Sequence, residues 1–486
     1  MTAPPTARAA DAPIPWPVWR LALVMAFGAF MSQLDTSVVN VGLDTIATDL
    51  RAGLGAAQWV ANAYLIALGL SLPACGWLVR RFGAGPVWLA SLTGFTLTSG
   101  LCALAGDIGW LIAFRVAQGL TAGLLLPAGQ TVLGQAVGAH RLGRVMATLG
   151  IAVTLAPALG PALGGILLHV GSWPWLFLVN LPLGALALWL GLRHVPRERP
   201  SVHPGRLDWP GLLLVATGVP LLIYGLSAWG ERGTAPDGSE GGLGGALGGT
   251  LGGTLGPVAA GALALAAFAW HARRTAHPVL DLRLFANPAY AAATATAALT
   301  GAAMFGSTLL FPLYFQVGRD TGVTATGLAL IPLGLGTALL LPVSGRLTDR
   351  FGGGIVSVYG GLAAVATTVP FALLGTDMNT ATVEGLLLLR GMALALAVTP
   401  VGIAAYQAVA PAQLADATTQ VNILQRLGGA LGGTLFAVVL TTRLPLGVEG
   451  AFQAAFGWLA AASVLGLAGA AWLTAAQRRG RRAEGG

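Results

Sequence analysis

Two charged residues stand inside apolar runs, where charge is costly: Asp35 within Val18–Gly42 and Arg115 within Gly109–Thr131. A carboxyl group held away from water favours its proton-bound form, and a neighbouring guanidinium favours the ionised form. Moving either partner therefore switches proton binding, the chemistry that a proton-coupled carrier needs. Asp35 lies about 24 Å along a helix that starts at Trp19, and about 9 Å short of Val41, at about 1.5 Å of rise per residue. Arg115, running the other way from Trp110, reaches a similar depth. Opposite charges at matching depth are explained if both face the protein interior and interact, either as a static ion pair or as a proton relay. Gln33, Asn40, Asn62 and Tyr64 are the polar neighbours that could contact a substrate, and each serves equally as an interhelical hydrogen-bonding group.

Other chemistries find little support. Cys75 and Cys102 both fall in apolar runs, which excludes a disulfide framework or a Cys-ligated metal. The six His show no HxxxH or HExxH spacing, so no metal site and no cofactor are expected. A polytopic enzyme acting on lipid-linked substrates would need clustered carboxylates or a phosphate motif, and neither is present. A non-transporting sensor would differ from a carrier in giving no flux.

The elements that must position these residues follow from composition. The chain has 486 residues, 55% of them apolar and 9% charged, where a soluble domain carries about 25% charged residues. Apolar runs of roughly 20 residues recur from Trp19 to Leu473, each long enough to cross hydrocarbon as a helix, and none alternates as a barrel strand would. The expected architecture is all-α and polytopic, with 14 transmembrane helices. A tail at 1–17 precedes a six-helix bundle at 18–191, a linker at 192–208 and a two-helix insert at 209–270. A second linker at 271–289, a six-helix bundle at 290–474 and a basic tail at 475–486 complete it. The net charge of +8 comes from Arg alone, without Lys. Only Arg51, Arg232, Arg319 and Arg443 fall in loops on the far side from the termini, so both termini are expected in the cytoplasm. The basic excess is thus topological and implies no nucleic-acid partner.

The chain is internally duplicated. GWLVRRFGAG at Gly76–Gly85 returns as GRLTDRFGGG at Gly345–Gly354, and FRVAQG around Arg115 is echoed by LRGMAL around Arg390. The Gly-rich stretch Gly238–Gly256 reads as a flexible tether on the outer side. Gly428/Gly432 and Gly429/Gly433 form pairs that suit close helix contact.

With LDTSVVNVGL at Leu34–Leu43, RVAQGLTAG at Arg115–Gly123 and APALGPALGG at Ala156–Gly165, the sequence resembles the major facilitator superfamily, specifically its fourteen-span drug:proton antiporters. The resemblance implies export of lipophilic or amphipathic small molecules by alternating access, with the proton gradient as energy source and Asp35 and Arg115 as coupling residues. The alternative within the same fold is a dedicated metabolite or lipid exporter. A monomer in the bacterial cytoplasmic membrane is implied, with protons, the small-molecule substrate and the bilayer as its partners.

The resemblance also assigns residues. Met304, Phe305, Phe311, Tyr314 and Gln316 resemble a pocket-lining helix. Gly160, Pro161, Gly164 and Gly165, beside Pro157, resemble the antiporter motif and form a thin, kinked helix face suited to conformational switching. The inner-loop motif brings in Gly76, Arg80, Gly83, Gly345, Asp349 and Arg350. Where that motif carries an acid, the first copy has Arg80 and the second keeps Asp349. The superfamily fold sets these positions against the starts of the thirteenth and fifth spans, which carry Asp416 and Arg141/Arg144. Two cytoplasmic ion pairs are therefore expected, Arg80 with Asp416 and Asp349 with Arg141 or Arg144.

Overall fold

A computed structural model describes residues 14–138, 141–197, 205–232, 256–275, 278–376 and 378–484. Most of the Gly-rich stretch and the N-terminal tail lie outside the described residues. The chain is almost wholly helical, because a backbone in hydrocarbon must satisfy its own N–H and C=O groups. In order, the helices of the first half are α1 (Trp16–Val41), α2 (Leu43–Asp49), α3 (Leu54–Phe82), α4 (Ala84–Ala103), α5 (Ile108–Val137), α6 (Leu142–Val170), α7 (Trp175–Leu178) and α8 (Asn180–His194). Then come α9 (Trp209–Arg232), α10 (Gly256–Arg274), α11 (Pro288–Leu313), α12 (Val323–Ala329), α13 (Ile331–Phe351), α14 (Gly353–Leu374), α15 (Thr380–Ala397), α16 (Thr399–Gln407), α17 (Leu414–Arg443) and α18 (Val448–Glu484).

Every apolar run of the sequence is helical. Among the described residues, however, ten helices are long and apolar enough to cross a membrane, or eleven if α6, bent by 46°, counts as one span. This is a multi-pass membrane protein. Two of the helices outside that set have a compositional cause: α4 is diluted by Ser and Thr, and α10 ends in His271, Arg273 and Arg274.

Capping residues set several helix starts. Asp107 accepts from the N–H groups of Gly109 and Trp110 at 2.8 and 3.0 Å, Asn287 from Ala289 at 2.9 Å, and Asn379 from Thr382 at 2.8 Å. The duplicated motif repeats in backbone as well as in letters. Gly83 and Gly352 occupy matching positions with φ of 90° and ψ of 151° and 150°, a conformation L side chains avoid, and in each case the next helix starts at once.

Contacts divide the chain into two units. One comprises residues 1–212, 277–280 and 410–419, the other 213–276, 281–409 and 420–486. In the first, α1 packs on α6, α5 and α8, and α5 packs on α3 and α4. Gly119 and Gly123 bring α5 against the backbone of α3 at Tyr64 and Leu68, too close for any side chain. In the second, α14 packs on α18, α13 on α15 and α11 on α18. Gly336 and Gly391 fit reciprocally against the backbone carbonyls of Leu388 and Leu333. Of the small pairs on α17, Gly428 and Gly432 face the backbone of α11 and Gly429 faces Phe305, whereas Gly433 borders open space.

Candidate functional site

α1 carries Asp35 and α5 carries Arg115, both about 1% exposed, and packing of these helices joins them in a buried ion pair. The Arg115 guanidinium donates to Asp35 Oδ2 at 2.5 Å, to Gln118 Oε1 at 2.8 Å and, through Nε, to the Val60 carbonyl at 3.0 Å. It lies 4.0 Å from the Tyr64 ring centroid, and the Tyr64 hydroxyl donates to the Ser32 carbonyl at 3.1 Å. The other carboxylate oxygen, Oδ1, accepts from Asn180 Nδ2 at 2.8 Å and from Gln118 Nε2 at 3.1 Å. Ser99 closes the network, accepting from Gln118 and Asn180 at 3.2 and 3.0 Å while donating to the Phe177 carbonyl at 3.1 Å. Side chains of α5 and α8 thus meet the carboxylate of α1, and α3, α4 and α7 complete the surrounding network.

The arrangement suits a proton switch. Three donors meet the carboxylate, one at Oδ2 and two at Oδ1, an environment that supports the ionised form. Asn180 Oδ1 is buried without a partner. Rotating that amide by half a turn would present an acceptor to a proton-bound Asp35, so this side chain serves either protonation state. Gln118, Ser99 and Asn180 are not among the candidates read from sequence. Gln118 sits one turn beyond Arg115 in the quoted motif, on the same helix face, and Asn180 is a lone polar residue opening an apolar run.

Other candidates fall elsewhere. Gln33 is half-buried, and Asn40 and Asn62 are exposed. Phe311 and Tyr314 are both fully buried in an aromatic core with Phe371, Phe452 and Phe456. Tyr314 also donates to the Gly375 carbonyl at 3.2 Å. Met304 is half-buried, and Phe305 and Gln316 are exposed.

On α6, Pro161 lacks the N–H that would bond the Pro157 carbonyl, and Ser37 of α1 donates to that oxygen instead at 3.2 Å. A side chain at Gly160 would collide with Ser37, and a Cβ at Gly164 would lie 3.2 Å from Val41. Gly165 faces open space, so only Gly160 and Gly164 form the thin face against α1.

Arg80, at the end of α3, pairs with Asp416 in the first turn of α17, within the first unit. Gly76 faces the same carboxylate, and a side chain there would displace it. Asp349 belongs to the second unit, where it is half-buried near exposed Arg350 and buried Gly345, while Arg141 and Arg144 belong to the first.

Fold and site together define a multi-pass helical membrane protein that holds ionisable groups deep within one bundle, as membrane carriers do. The chain matches the model of the Major Facilitator Superfamily over residues 25–433 and belongs to that family of transporters. It is 36% identical over 426 residues to a Mycobacterium tuberculosis protein named multidrug resistance protein B homolog, covering 87% of this chain and 76% of that one. A Salmonella typhi protein whose provisional name is multidrug resistance protein MdtD is 30% identical over 389 residues, covering 78% and 76%. Among solved structures, the human organic anion transporter MFSD10 (TETRAN) aligns with a TM-score of 0.60 at 18% identity over 96% of this chain and all of that one. The proton:xylose symporter XylE aligns at 0.61 and 15% identity, over 93% and 94%. These two share the fold.

Proposed function

We propose that this protein is a proton-coupled antiporter that exports lipophilic or amphipathic small molecules by alternating access. The carrying observation is the Asp35–Arg115 pair, buried at depth with Asn180 as a partner able to serve either protonation state. The names of the relatives support multidrug efflux over export of a single metabolite. In this reading the chain spans a bacterial cytoplasmic membrane fourteen times, with both termini in the cytoplasm, and works as a monomer without a cofactor. Arg80–Asp416, together with a second pair between Asp349 and Arg141 or Arg144, biases the carrier toward its inward-closed form.

Proteoliposomes with an imposed pH gradient test this reading, using a panel of fluorescent lipophilic cations. Gradient-driven movement of several unrelated compounds, lost in Asp35→Asn, is expected. Flux of one compound alone would favour the dedicated exporter, and unchanged flux in Asp35→Asn would remove Asp35 from coupling.

A further inference from the structure

Arg390 occupies the second half as Arg115 occupies the first, yet its surroundings differ in charge. It is fully buried on α15. Its Nη1 donates to the Ala364 carbonyl at 3.1 Å and to Thr368 Oγ1, and its Nη2 donates to Ser307 Oγ at 2.7 Å. These hydroxyls are neutral acceptors whose own hydrogens go to helix carbonyls, Thr368 to Ala364 at 2.5 Å and Ser307 to Ala303 at 2.6 Å. Among the described residues no carboxylate pairs with Arg390. A guanidinium keeps its charge at any biological pH, and a buried unpaired charge is strongly unfavourable.

The duplication shows where the missing charge would stand. α1 and α11 are both 26 residues long. Asp35 and Ser307 hold the same place in them, counted from Trp16 and Pro288, and each contacts the Arg of its own half. In the second half a hydroxyl therefore replaces the carboxylate. Beside it lies a small cavity, partly open to the exterior, lined by Arg390, Ser357, Thr300 and Ser463 among apolar residues. Thr300 and Ser463 spend their hydroxyl hydrogens on the carbonyls of Thr296 and Leu459 at 2.9 Å. Two donors on the cavity wall are uncommitted: Arg390 Nε and Ser357 Oγ are both buried without a hydrogen-bond partner. Ser357 is 1% exposed.

We propose that this cavity binds a small inorganic monovalent anion of the chloride class, held by Arg390 Nε–H and the Ser357 hydroxyl. The anion supplies from solution the charge that Asp35 supplies covalently in the other half. The Ala and Gly elsewhere on the wall offer no further donors, so the site suits a compact, singly charged ion rather than a phosphate.

The test is thermal unfolding of the full-length protein in detergent, with chloride exchanged for gluconate at constant ionic strength. Wild type should melt higher in chloride, with a saturable dependence on its concentration. Ser307→Asp should melt in gluconate at least as high as wild type in chloride and lose the chloride dependence. Ser357→Ala, which keeps the cation and removes one charge-assisted hydrogen bond, should weaken chloride binding about tenfold. A wild type indifferent to chloride would overturn the proposal. So would a chloride shift of equal size in both variants, which would trace it to surface Arg. Stabilisation by acetate without stabilisation by chloride would overturn the inorganic assignment. The readout is melting alone, so the result stands or falls independently of transport.

Discussion

Removing the charges of Asp35 and Arg115 singly and together measures what their pairing contributes. In Asp35→Asn, the Arg115 guanidinium stays buried and keeps the Val60 carbonyl and the Gln118 amide as acceptors, with the Tyr64 ring against its face. Breaking a buried ion pair from one side costs about 3–5 kcal/mol, and those two acceptors place the cost near the lower end, about 3 kcal/mol. Arg115→Gln leaves a buried carboxylate facing Gln118 and Asn180, and a similar cost of about 3 kcal/mol is expected. The double variant holds two neutral amides in a network already rich in amides, so its total cost should again be about 3 kcal/mol, well short of the additive sum. Unfolding of the full chain in detergent reads the stabilities, and proteoliposomes read the flux. All three variants should lose gradient-driven export, while the double variant retains substrate binding. Additive stability losses would show that the pair does not interact energetically, and gradient-driven export at the wild-type rate in the double variant would refute the coupling role.

Asn180→Ala removes a donor from Asp35 and from Ser99, and should slow gradient-driven export by about tenfold, as the loss of a charge-assisted hydrogen bond predicts, with substrate affinity unchanged. An equal loss in substrate binding would point to a structural role instead. Gly160→Leu should block transport while the protein still inserts, because Ser37 fills the space beside it, whereas Gly165→Ala should be silent within about 0.5 kcal/mol. Similar behaviour of the two in export assays would show that the face against α1 has no part in switching. Arg80→Asp and Asp416→Arg should each raise accessibility of the cytoplasmic side to a thiol probe, and combining them should restore it. The pair is partly exposed, so the expected coupling is about 1 kcal/mol or less, and strict additivity would show no coupling.

Sequence alone determined the helices and the deep placement of charge, because hydrophobic run length and residue type are local quantities that hydrocarbon enforces directly. The Gly76–Gly85 and Gly345–Gly354 repeat was legible for the same reason: its glycines specify a backbone turn with φ of 90° in both copies. The membership of the buried network was less legible. Asn180 lies 145 residues from the carboxylate it contacts and Ser99 sits on yet another helix, so their meeting depends on how each helix is rotated about its axis. Rotation also decided that Phe311 and Tyr314 turn into an aromatic core and that Gly164 faces a neighbour while Gly165 does not. The contrast between Arg115 and Arg390 is the clearest case. The letters align the two arginines and depth alone suggested the partner of Arg115, but only packing revealed that Arg390 meets hydroxyls beside a cavity, because the sign of a buried partner is set by the facing helix and not by the motif that carries the charge.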